Sequence, residues 1–274
     1  MANLKAWIKA ITPPLVLSFA KHLLRRDIQD ISWHGHYLTW NEAKSKCMGY
    51  DTPIILETCK NALLQVKNGT AVYERDGVLF EEIQHSWGLL AGLQKAALEN
   101  NDKLCVMDFG GSLGSSYFQN RLFLKSIKKM QWCIIEQEHF VNCGKVYFED
   151  DQLKFYFTIE ECLKTNKPDV LLLSSVLQYL ENPFDWIKKF TSLEIPYIIL
   201  DRTAFIDSNE DCISIQNVPG SIYQASYPAW FFQKKKFVEY FKDYEIIGYF
   251  DSGYTSARLL DEKRIYWEGI ILKR

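Results

Sequence analysis

The stretch that most constrains this chain is Leu104 to Gly114, LCVMDFGGSLG: an apolar run, one acidic residue, then a glycine-rich turn. An uninterrupted apolar run suits a parallel strand covered on both faces. Gly110, Gly111 and Gly114 supply backbone angles, or room for close approach, that a side chain forbids. Together they describe a buried strand handing over to a helix whose start can hold an adenosine-containing cofactor. A second apolar run, Trp132-Cys133-Ile134-Ile135, ends at Glu136, 26 residues after Gly110. That is roughly the offset at which an acidic side chain meets ribose hydroxyls in a nucleotide-binding βαβ unit.

From about residue 101 the pattern alternates. Strand runs fall at Leu104–Met107, Trp132–Ile135, Leu153–Phe157, Val170–Leu173 and Tyr197–Leu200, with helical stretches at Ser116–Lys129, His139–Tyr147, Ile159–Lys164 and Phe184–Phe190 between them. Alternation of this kind predicts an α/β fold: a doubly wound, mostly parallel sheet with right-handed crossovers. Two further runs, Tyr244–Phe250 and Ile265–Leu272, have no helix between them and predict an antiparallel closing hairpin, for seven strands in all. Residues 1–100 read instead as a helical N-terminal extension, with helix signals at Asn41–Lys44, Pro53–Val66 and Ser86–Leu98. The expected division is an extension over 1–100, placed to cover an acceptor, and a cofactor-binding domain over 101–274.

Net charge is −2, so no overall field favours nucleic acid, and none is expected as a partner. Seven scattered cysteines contain no C-x-x-C pair and no metal-ligand spacing, which predicts no metal site and a reducing, cytoplasmic compartment. The first 26 residues hold apolar clusters bracketed by lysine and arginine, interrupted by Pro13-Pro14. They are too short to span a bilayer. Two readings stay open: an amphipathic helix at the inner face of the membrane, or a helix packed on the body or a partner chain.

In open α/β sheets ligands bind beyond the carboxyl ends of the strands. Those positions here are Asp108 to Gly114, Glu136, Phe157-Thr158, Ser174 to Tyr179, and Asp201-Arg202-Thr203. A dinucleotide fingerprint requires G-x-G-x-x-G, which Gly110-Gly111-Ser112-Leu113-Gly114 does not supply. Asp108 would also repel a pyrophosphate. Both points disfavour NAD and favour a cofactor with an ammonium group and no phosphate, as S-adenosylmethionine has.

On these residues the chain resembles the class I S-adenosylmethionine-dependent methyltransferases, whose first motif runs D/E-x-G-x-G-x-G. Asp108 to Gly114 matches it, with Ser112 in place of the middle glycine. The resemblance implies a Rossmann-like sheet with a closing hairpin. It implies cofactor contacts from Asp108, Gly110, Gly111, Ser112, Gly114, Glu136 and Ser174, the last near the methionine moiety. Segments including SWHGHYLTWNEAKSKCMGYD, NGTAVYERDGVLFEEIQHSWGLLAGL, DVLLLSSVLQYLENP and SIYQASYPAWFF extend the likeness to a family of bacterial methyltransferases associated with surface-polysaccharide biosynthesis. The implied reaction is O-methylation of a sugar or glycan precursor. A methyltransferase-like scaffold that binds cofactor without transfer is the alternative.

Candidate acceptor residues are Tyr179, Asp201 and Arg202. Gln178 and Tyr179 stand where that family often has histidine. Asp201 reads equally as a general base or as the partner of Arg202. His34 and His36, with Trp33, Tyr37 and Trp40, read either as a sugar-binding cluster or as an anchor for the extension. His85 and His139 are further candidates. Residues 220–230 read as a lid or acceptor-recognition loop, or as an ordinary connection.

Overall fold

The computed structural model describes residues 31–49, 53–252 and 257–274. The N-terminal stretch weighed above for membrane contact lies outside the described residues. Among the described residues no helix is long and apolar enough to cross a membrane.

The chain opens with β1 (Ser32–Tyr37), α1 (Trp40–Lys44), α2 (Pro53–Lys67), the hairpin β2 (Tyr73–Arg75) and β3 (Val78–Phe80), and α3 (Trp87–Glu99). The alternating part is β4 (Lys103–Phe109), α4 (Ser115–Leu124), β5 (Lys129–Ile135), α5 (Glu138–Tyr147), β6 (Leu153–Tyr156), α6 (Ile159–Leu163) and β7 (Val170–Ser174). A 3₁₀ turn at Leu177–Tyr179, α7 (Pro183–Ser192) and β8 (Tyr197–Ile206) follow. The chain ends with β9 (Cys212–Val218), β10 (Ala225–Phe231), α8 (Lys234–Glu239), β11 (Glu245–Asp251), β12 (Arg258–Leu260) and β13 (Lys263–Lys273).

The main sheet runs β11-β13-β8-β7-β4-β5-β6, with β12 paired to β13. Strands β4 to β8 pair in parallel, and β13 pairs antiparallel with both β8 and β11. This is the expected doubly wound sheet with its closing hairpin. Alternate side chains of each strand serve opposite faces. Val106, Trp132, Ile134, Leu172 and Ile199 bury against α2, α3, α4 and α5. Met107, Cys133, Leu171, Leu173 and Ile198 bury against α6, α7 and α8. Pro183 opens α7 at a position where the missing N–H costs nothing.

The extension is not purely helical. It contributes β1, β2 and β3, and β1 joins β9 and β10 in a separate sheet of order β1-β9-β10. Residues 225–231 are therefore a buried strand and not a lid, and β9 is a further strand that the apolar runs did not reveal. Pro228 sits on the edge strand of this sheet, where no ladder donor is lost. Smaller differences lie at element ends: α4 stops at Leu124, where the expected helix ran to Lys129, and β6 stops at Tyr156.

Helix α3 packs close to the sheet edge. A methyl group on Gly88 would lie 2.0 Å from Cγ of Phe250, near the stiff base of that side chain. We predict that Gly88→Ala lowers stability by about 1–3 kcal/mol, measured as a reduced denaturant midpoint. Phe250→Ala in the same chain should recover part of the loss.

Candidate functional site

Strand order reverses between β4 and β7: after β4 the chain moves one way to β5, and after β7 the other way to β8. A ligand site at the carboxyl end of such a switch point is the rule for open α/β sheets. A cavity opens there, with Gly110, Gly111 and Ser112 from the turn after β4 and Ser174 and Ser175 from the end of β7.

The glycine turn is shaped by contacts on both sides. Gly110 has φ +73°, its N–H donates to Ile135 O at 2.9 Å, and a Cβ there would lie 2.4 Å from Val176 Cγ2. A Cβ on Gly111 would lie 2.6 Å from the Asp108 carboxyl. Asp108 is fully buried beneath the turn and does not line the cavity. Its Oδ2 accepts from Trp132 Nε1 at 2.9 Å, and Oδ1 has no hydrogen-bond partner among the described residues. Burial pushes this carboxyl up to about 7, with nearby Glu136 adding to the rise. Its role is thus to support the turn from below, not to meet a ligand directly. Gly114 is the N-cap of α4 at φ +105° and faces Leu153 and Ile134.

Glu136 follows β5 and is partly buried. Its Oε1 accepts from Ser112 N–H at 3.3 Å and its Oε2 from Gln137 N–H at 2.7 Å, while burial raises its pKa. These bonds tie the acidic residue to the turn across 24 residues of sequence.

The start of α4 is where a dinucleotide would seat its pyrophosphate. Here it receives a carboxylate of the chain itself. Ser115, the first residue of α4, donates from Oγ to Glu74 Oε1, and Gly77 N–H donates to Glu74 Oε2 at 3.1 Å. Glu74 is 2% exposed, and burial pushes it up to about 7.

Asp201 and Arg202 come together at the end of the parallel part of β8. Asp201 Oδ2 accepts from Ser174 Oγ at 2.7 Å and lies 3.3 Å from Arg202 Nε; Oδ1 accepts from Ser86 Oγ at 3.0 Å. Arg202 Nη2 donates to Ser174 Oγ at 3.0 Å. Asp201 is therefore a buried partner of Arg202 and of two serines, the pairing that one of its two readings expected. Tyr179, Ser174 and Arg202 line the cavity; Asp201 lies behind it.

The far wall comes from the second sheet. Gln216, Val218 and Tyr227 line the cavity with Ile222 and Tyr223 from the connection before β10. The hairpin β2–β3 closes another side with Arg75 and Asp76, and Cys59 of α2 lies nearby. Burial and the charges of Glu74, Asp76 and Glu136 hold the Cys59 thiol well above its usual range.

None of the candidate histidines lines the cavity. His34 is exposed, with Nδ1 2.8 Å from Asn217 Nδ2; His36 is exposed; His85 sits between Trp87 and Phe123 at ring distances of 5.0 Å; His139 lies against Phe140. Trp33 packs on Trp267 and Phe231, and Trp40 stacks on Trp230, so these rings anchor the extension.

Glu74, Arg75, Asp76 and Gln216 went unassigned at the level of sequence. One signal was present: the dipeptide Asp76-Gly77 is a two-residue hairpin signature, and their φ values of +53° and +80° fit a type I′ turn. That locates the hairpin but not its docking place.

No protein-family model matches the chain, and no curated protein matches it in sequence. Solved structures similar to it include an S-adenosylmethionine-dependent methyltransferase from Clostridium acetobutylicum ATCC 824, at 11% identity and a TM-score of 0.43, covering 69% of this chain and 92% of that one. The N-terminal domain of EvdMO1, crystallised in the presence of SAH and D-fucose, shows 12% identity and a TM-score of 0.44, covering 82% and 97%. The bifunctional kinase-methyltransferase WbdD shows 17% identity and a TM-score of 0.41, covering 70% of this chain and 40% of that one.

The two raised carboxyls make stability pH-dependent. Each binds its proton more tightly folded than unfolded, so the stabilisation is full below about pH 4 and is lost as pH rises through about 7. The unfolding free energy should fall across that window, each group contributing a slope of at most about 1.4 kcal/mol per pH unit. Asp108→Asn should flatten the slope in denaturant titrations at several pH values, whatever it does to the absolute midpoint.

Proposed function

We propose that this chain is an S-adenosylmethionine-dependent methyltransferase that methylates a hydroxyl of a sugar or glycan precursor. The observation that carries the reading is the glycine turn after β4, bonded to the acidic Glu136 after β5 and opening on a cavity lined by Ser174, Arg75 and Arg202. Such a site suits an adenosine cofactor whose other end carries a carboxylate.

The residues present fit that cofactor. The backbone of Gly110 and Gly111, with only the short hydroxymethyl of Ser112 beside it, offers a surface on which a nucleoside can lie. Glu136, already oriented by Ser112 and Gln137, is placed for ribose hydroxyls. Ser174 and the guanidinium groups of Arg75 and Arg202 suit the amino-acid end, whose carboxylate needs a cation. When bound, S-adenosylmethionine supplies an electrophilic methyl group.

The chain's own contribution is chiefly orientation. A methyl acceptor must approach in line with the reacting bond, and holding it there supplies much of the rate. Tyr179, at the cavity wall, has its hydroxyl fixed by Gln216 and can direct an acceptor hydroxyl. Asp201 keeps Arg202 and Ser174 in place and is committed to that task. The same commitment is what the second reading, a cofactor-binding scaffold in a glycan assembly complex, would show at Asp201.

Incubating the full chain with cell extract and methyl-labelled S-adenosylmethionine separates the readings. Mass spectrometry should find a glycan precursor that has gained one labelled methyl group. S-adenosylhomocysteine binding with no labelled product would favour the scaffold, and saturable NAD binding in its place would overturn both. Gly110→Val, which forces a branched side chain onto φ +73° and into Val176, should weaken S-adenosylhomocysteine binding by roughly a hundredfold or more in calorimetry. Far-ultraviolet dichroism should stay unchanged.

A further inference from the structure

We propose that Asp76, at the tip of the β2–β3 hairpin, is the general base that takes the proton of the acceptor hydroxyl. The assignment rests on the methyl-transfer reading above.

The carboxyls around the cavity are sorted by their partners. Asp108 is buried beneath the glycine turn, and Asp201 lies behind the wall, bonded to two serines and paired with Arg202. Glu136 accepts from the N–H groups of Ser112 and Gln137, and Glu74 accepts from Ser115 and Gly77. Asp76 differs from all four. It lines the cavity, it is exposed, and among the described residues no hydrogen bond or ion pair engages its carboxylate. None of the described histidines lines the cavity, so no imidazole competes for the role.

The fold holds this carboxylate in place. Tyr73 and Glu74 of β2 are buried, and both bond to α4: Gln119 Nε2 donates to the Tyr73 hydroxyl at 3.2 Å, and Ser115 Oγ donates to Glu74. Gly77 N–H, one residue past Asp76, closes on Glu74 Oε2 at 3.1 Å. Asp76 is therefore the first central residue of a type I′ turn whose flank is clamped. Helix α4 follows directly on the glycine turn, so one element carries both the hairpin tip and the cofactor wall. The charge of Asp76 reaches inward. Burial raises Glu74 and the Cys59 thiol most, Asp76 adds to both, and Cys59 itself meets the Ser112 hydroxyl.

A carboxylate is a weak base towards a neutral hydroxyl, but methyl transfer changes the hydroxyl. A lone pair of the acceptor oxygen forms the new C–O bond to the methyl carbon. The C–S bond breaks and its electron pair returns to sulfur, which becomes a neutral thioether. The oxygen gains positive charge as it bonds, so its proton becomes strongly acidic. That proton passes to an Asp76 oxygen and then to water, because the side chain is open to solvent. The products are a methyl ether, S-adenosylhomocysteine and one proton. The negative charge of Asp76 also stabilises the charge developing on the oxygen.

Asp76→Asn tests the assignment without disturbing the turn, because Asn-Gly suits a type I′ hairpin as well as Asp-Gly does. Wild type and variant are each given cell extract and methyl-labelled S-adenosylmethionine at saturation, and S-adenosylhomocysteine binding is measured on both by calorimetry. The initial rate of label transfer should fall about a hundredfold or more, the usual worth of a positioned base. Affinity for S-adenosylhomocysteine should change less than about threefold. A variant rate within about threefold of wild type would overturn the assignment. Binding weakened by about tenfold or more would overturn it too, by placing the carboxylate at the cofactor's ammonium group. Absence of labelled product from the wild-type chain would instead overturn the methyl-transfer reading beneath it.

Discussion

The Asp201 carboxylate is the interaction on which the site's construction depends. A buried charge is tolerated only when its lone pairs are taken up by donors. Asp201 meets that demand with groups from three parts of the chain: Ser86 at the start of α3, Ser174 at the end of β7, and its own neighbour Arg202. Ser174 lies beside Asp201 in the parallel register, so the knot forms at the strand ends that open the cavity. The helix cap of the extension and the floor of the site are thereby one hydrogen-bonded unit. Together with Glu74 on Ser115, this ties α3 and the β2–β3 hairpin to the strand ends around the cavity.

The same geometry assigns work among the carboxyls. Asp108 lies beneath the glycine turn, Glu74 accepts from the hydroxyl of the first residue of α4, Asp201 pairs with an arginine, and Glu136 is bonded to the turn through Ser112. The site thus depends on placement, with phenol and amide groups facing the space where an acceptor would lie.

How much of this could be read from sequence depended on how local each feature is. The central strands are continuous apolar runs, because both their faces are covered, and Leu104–Met107 or Val170–Leu173 declare themselves without help from the rest of the chain. The glycine turn is equally local. The second sheet was illegible for particular reasons. Strand β1 contains His34, Gly35 and His36, and strand β10 contains Pro228, so neither shows a strand pattern; β10 gains its order from the neighbouring β9, and β1 from pairing with β9 across 183 residues. Glu74 and Gln216 gain their roles only when the chain folds back, across 41 residues to Ser115 and 183 to Trp33. Asp201 was visible as a candidate, but its engagement by Ser86, 115 residues earlier, was not.

The central claim concerns where an adenosine cofactor sits, and a crystal structure of the full chain with S-adenosylhomocysteine tests it most directly. The account predicts the ribose hydroxyls on Glu136, the nucleoside over Gly110 to Ser112, and the amino-acid end near Ser174 and Arg202, with Glu74 still bonded to Ser115. Density for the ligand away from the glycine turn, or a ribose with no contact to Glu136, would contradict it.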